Sequence, residues 1–127
     1  MFLDAKSWVY GKLTGNAPLT ALVPSASILS AWPNTFVNVP LISYLEGNQS
    51  NGEFADDVEI ANNVFIEIHV FTAYTQSTTP IAQAVDAVMS GLRFTLSFSS
   101  ELSEPQQKVR HRVMKYNRGS VTAETML

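Results

Sequence analysis

Two histidines stand alone in this chain, and each falls in a run that alternates like a β-strand: His69 in VEIANNVFIEIHVFTA (58–73), His111 in 108–116. Glu67 lies two positions before His69. If the two strands are neighbours, Glu67, His69 and His111 converge on one face, where two imidazoles and a carboxylate suffice to hold a divalent metal. The same three residues also make an ordinary cross-strand polar pairing. Single histidines in separate strands favour that second reading, so no metal and no cofactor is expected. Other chemistry is harder to assemble. Asp56 and Asp57 are adjacent, so on a strand they point to opposite faces and make a poor acid/base pair. No serine sits in G-x-S-x-G, and neither G-x-G-x-x-G nor a P-loop is present. The absence of cysteine excludes disulfides, thiolate catalysis and Cys-based zinc sites. The chain is expected not to be an enzyme.

Charge is the feature with a pattern. Glu46, Glu53, Asp56, Asp57 and Glu59 cluster, with no Lys or Arg between Gly47 and Gln76. Lys108, Arg110, Arg112, Lys115 and Arg118 make a basic segment near the end. Two readings stand. Both segments are solvated surface, or an acidic arm on one subunit meets a basic edge on the next, a head-to-tail contact that closes into a ring if the rotation permits. On the second reading Glu46, Glu53, Asp56, Asp57, Glu59, Lys108, Arg110 and Arg112 are the candidate subunit or partner interface. The formal net charge of −3 argues against binding nucleic acid by bulk electrostatics.

The elements that would position these residues follow from periodicity. In 58–73 the even positions Val58, Ile60, Val64, Ile66, Ile68 and Val70 are β-branched, broken only by Asn62. From Val64 to Phe71 the odd positions alternate aromatic with polar, the mark of a half-buried strand. Extended throughout, Val58 to Phe71 would span roughly 45 Å, so its first part is expected to leave the sheet. A second strand begins at Pro40 in VPLISYLE, and Asn51-Gly52 is a strong hairpin signal. Leu41–Glu46 and Val58–Ala73 are therefore expected as antiparallel neighbours joined by a polar hairpin arm.

A helix from Asp4 to Thr14 buries Ala5, Val9 and Leu13, with Trp8 as a core anchor and Gly15-Asn16 as its end. Pro18 to Leu22 adds a turn, and Ser27 to Ala31 a short strand. Trp32, beside a proline, is expected to be buried under a loop. Thr79 caps a second helix with Pro80 at its first position, and Ile81, Ala84, Val85, Val88 and Leu92 share one face. Phe94, Leu96 and Phe98 mark a fourth strand. Residues 108–116, with Arg110 and Arg112 on one side, read as an edge strand guarded by charge. Residues 119–127 carry no pattern and are expected as a loose tail.

At 127 residues, 46% of them hydrophobic, the chain suits one domain with a real core. Only 15% are charged, which fits either a Ser/Thr/Asn-rich surface or a surface partly covered by copies and partners. The opening MFLDAKSWVYGK is not expected to be a signal peptide. No run approaches the ~20 apolar residues of a membrane helix, and a cytoplasm-like setting makes Asn48-Gln49-Ser50 a chance sequon. The fold class expected is α+β: a single, mostly antiparallel sheet with two helices packed on one face and a long protruding β-hairpin.

This order, a short helix, a Pro-initiated strand (NVPLISYLE), an exposed hairpin, a long aliphatic strand (NVFIEIHVF), a helix after Thr-Pro and a final strand, resembles the tail-completion or tail-terminator proteins of long-tailed bacteriophages and prophages. It covers residues 3 to 116. The resemblance implies a non-enzymatic virion protein that caps the tail tube as a ring, a hexamer in that family, and offers the surface joining the head-tail connector. Its implied partners are copies of itself, the tail tube protein and the connector. No membrane and no sequence-specific nucleic acid is implied. The alternatives are a head-completion or neck adaptor, and a small ligand-binding domain around Glu67, His69 and His111.

Overall fold

The residues that alternate most cleanly form the middle of the sheet. A computed structural model describes the backbone of residues 3–55, 58–104 and 108–126, and the side chains of 3–47, 62–102 and 108–126. Helices α1 (Ala5–Thr14) and α2 (Ala17–Thr20) precede a short strand β1 (Ile28–Leu29) and the long pair β2 (Leu41–Ala55) and β3 (Val58–Ala73). Helix α3 (Thr79–Gly91) leads to β4 (Thr95–Glu104) and β5 (Val109–Val121). The five strands form one sheet in the order β1-β2-β3-β5-β4, with β1 parallel to β2 and every other pairing antiparallel.

The period of two divides the sheet into two faces. Val64, Ile66, Ile68 and Val70 of β3, with Met114 and Tyr116 of β5, lie in the main core with Val9, Leu13, Leu19, Ile81, Val85 and Met89 from the helices. Burying each such aliphatic side chain contributes roughly 1.5–3 kcal/mol. Side chains cap the first two helices: the Asp4 carboxylate accepts from the Ser7 amide at 3.2 Å, and the Asn16 side chain from the Leu19 amide at 2.9 Å. Thr79, expected as a cap, is the first residue of α3. The preceding Thr78 is buried and does not cap the helix, because its hydroxyl is engaged by Glu101 of β4 and Arg112 of β5.

Four further expectations need correction. Residues 108–116 are not an edge strand: β5 pairs with β3 on one side and β4 on the other, and His111, Val113, Met114 and Tyr116 are buried. The loose tail expected at 119–127 is not borne out by the described residues 119–126, and Leu127 lies outside the described residues. β5 runs on to Val121, which is fully buried, and Met126 packs against the main core. Asn51-Gly52 is not the turn. The β2–β3 ladder continues past Asn51↔Asn62 to Ala55↔Val58, and register shifts flank Glu53. Trp32 is not buried, being 51% exposed.

Candidate functional site

The face of the sheet away from the helices carries the odd positions of β3. Its centre is a small second core of Leu41, Phe71 and Val109, with Leu29, Phe36 and Val39 packed against it. The segment between β1 and β2 folds over this patch. The Phe36 ring sits 4.8 Å from that of Phe71, and the Trp32 ring meets His69, Phe71 and His111 edge-on at 5.1, 5.5 and 5.9 Å. The Ser43 hydroxyl donates to the Ala31 carbonyl at 2.8 Å, tying the segment to β2.

Glu67, His69 and His111 do converge, as the sequence suggested. His69 Nδ1 lies 2.7 Å from His111 Nε2, and His69 Nε2 lies 3.0 Å from Glu67 Oε1. Toward a carboxylate the Nε2 nitrogen is the donor, so in the neutral pair Nδ1 accepts from His111 Nε2–H. His111 also stacks on Phe71 at 4.4 Å. Burial, then the nearby charge of His111, hold the His69 imidazole below its ordinary value, against the raising influence of Glu67. This is a hydrogen-bonded relay, the polar pairing expected from sequence. Among the described residues no group of three or more His, Cys, Asp or Glu is arranged to hold a metal.

The charged candidates are scattered. Arg110 and Arg112 lie on the helix side of β5 and are spent within the chain. Arg110 Nε donates to the Tyr74 carbonyl at 2.9 Å. Arg112 donates from Nε to Thr78 Oγ1 at 3.0 Å and from Nη1 to Ser99 Oγ at 3.2 Å, while the Thr78 hydroxyl donates to Glu101 at 2.9 Å. Lys108 is exposed at the start of β5, and Glu46 is exposed on β2. Glu53 and Glu59 lie in the β2 and β3 backbones, but their side chains, like Asp56 and Asp57 altogether, fall outside the described residues.

Sequence reasoning missed the exposed apolar side chains. Phe94, Leu96 and Phe98 alternate in sequence as a strand does, but a register shift between Leu96 and Phe98 puts them in different environments. Phe94 is in the main core; Leu96, opposite Tyr116, is 42% exposed, and Phe98, opposite Lys115, is 49% exposed. Leu102 and Phe65 are also exposed, on the helix-free face. The one available signal was the run of large apolar residues on β4, and its exposure depends on strand order, which no local pattern reports. β4 ends the sheet on one side. On the other, β1 covers only Ile42 and Ser43 of β2.

These features describe an α+β fold with β4 at one end of its sheet and exposed apolar side chains at Phe65, Phe98 and Leu102. The profile of the family described as Tail completion protein gp17 matches residues 8–118, and the chain belongs to that family. It is thus a structural protein of tail assembly, with its place in the virion. The fold is also similar to that of a solved chain from "Virion of native gene transfer agent (GTA) particle", with a TM-score of 0.55 at 20% identity over 88% of this chain and 90% of that one. No curated protein sequence matches the chain. No helix among the described residues is long and apolar enough to cross a membrane.

Proposed function

We propose that the protein ends the phage tail by forming a ring, a hexamer, on the head-proximal end of the tail tube, and that the ring offers the surface on which the head-tail connector docks. The observation that carries this reading is membership of the tail completion family across residues 8–118. Its work is steric and templating rather than catalytic. An open β4 edge and apolar side chains at Phe65, Phe98 and Leu102 are what a subunit covered by neighbours would carry. The acidic residues Glu46, Glu53, Asp56, Asp57 and Glu59 reach the basic segment of the next subunit, where Lys108 is an exposed cation and Arg110 and Arg112 contribute what their internal hydrogen bonds leave over.

Native mass spectrometry of the protein alone and mixed with tail tube protein tests the ring. A closed oligomer that forms with the tube is expected, whether or not the free protein is monomeric. Monomer alone in the presence of tube would sink the proposal. Stable co-purification with the portal-side connector and never with the tube would replace it with a neck adaptor.

A further inference from the structure

We propose that the Glu67–His69–His111 relay is a proton-operated latch that holds the Trp32 segment over the helix-free face and releases it on acidification. Between His69 Nδ1 and His111 Nε2, 2.7 Å apart, there is room for one hydrogen. The neutral pair satisfies this with His111 as donor. One added proton is also accommodated, since an imidazolium at His69 can donate to Glu67 and to a neutral His111. A second proton is not accommodated: both nitrogens then carry hydrogen, and two cations face each other in a buried site.

What yields is set by the packing. His69 and His111 are 6% and 4% exposed, and Phe71, stacked on His111, is fully buried on a central strand. Trp32 stands roughly perpendicular to both imidazoles, at interplanar angles of 77° and 75°, is half in solvent, and sits in a segment between β1 and β2 without regular secondary structure. The strands are held by ladders on both sides, so the rings separate by displacing Trp32 and Phe36.

Few other charged groups face the two histidines among the described residues. From β3 they are faced by Glu67, and from β5 by Lys115, which stands opposite Glu67 and disfavours a cation at His69. β2 contributes Leu41, Ser43 and Leu45 to this face, and the covering segment 30–40 holds no ionisable side chain. β4 places Ser100 and Leu102 opposite Val113 and His111, with Glu104 further along opposite Val109.

The test reads Trp32 directly. In Trp8→Phe protein, the bimolecular acrylamide quenching constant, taken from fluorescence lifetimes so that quenching by the imidazoles does not enter, is measured at about pH 7.5 and about pH 5. It should rise about twofold as a side chain now 51% exposed becomes fully so, with far-UV circular dichroism unchanged. His69→Gln and His111→Gln, which cannot form the facing cation pair, should abolish the rise. Glu67→Gln should move it to higher pH or leave the segment open throughout, because the carboxylate no longer orders the relay. An unchanged constant in the parent would overturn the proposal, as would a rise that persists in both glutamine variants. If Trp8→Phe does not fold, the same quantity follows from the parent minus Trp32→Phe.

Discussion

At the scale of single residues, folding acts on His69 through the solvent it loses. Burial lowers the affinity of its imidazole for a proton, so below the ordinary value of 6.5 the unfolded chain binds that proton more readily than the folded one. The associated stability is present above 6.5 and drains away as pH falls through the window beneath it. The urea midpoint should therefore drop between about pH 7.5 and about pH 5.5, a range in which unperturbed carboxylates remain ionised, and His69→Gln should flatten the decline. An equal decline in the variant would show that other groups carry it. The alternation of Phe65, Glu67, His69 and Phe71 made this cluster readable in sequence, because one period of two fixes a shared face. Trp32 was not readable: a tryptophan beside a proline says nothing of which rings lie under it.

At the scale of elements, the sheet's two faces are unequal in what they hold up. Ile68 is fully exposed to neither water nor ligand but packed under the helices, whereas Leu102 is 46% exposed on the opposite side. Ile68→Ala should cost about 3 kcal/mol in chemical denaturation, through lost burial and the cavity left behind. Leu102→Ser should change stability by under ~0.5 kcal/mol. Comparable losses at both sites would mean that Leu102 is buried as deeply as Ile68. The apolar row of β3 and the amphipathic pattern of α3 were legible because burial on one face leaves a period. The position of β5 was not. Arg110 and Arg112 have the composition of a guarded edge, but they sit on a strand paired on both sides and donate to the carbonyl of Tyr74 and the hydroxyls of Thr78 and Ser99. Those acceptors come from distant stretches of chain, and only the folded strand order brings them near.

At the scale of the whole molecule, the proposed ring assigns the charge asymmetry between the 46–59 stretch and the start of β5 to contacts between subunits. Lys108→Glu should leave the melting temperature within a few degrees and reduce ring formation on the tube, with Lys at positions of Asp56 and Asp57 restoring part of it. Each exposed pair is worth under ~1 kcal/mol, so the effect is visible only where it repeats around a closed ring. Sedimentation with tail tube protein measures it; a double exchange that restores nothing would remove the acidic stretch from the interface. The order of the strands has one more consequence. β5 follows β4 in the sequence but lies between β3 and β4, so the sheet cannot close until residues 109–121 are available to pair. Such non-local pairing slows folding. A chain broken off before Val109 would leave β3 and β4 with facing unpaired edges, unable to complete a subunit and prone to join others out of place.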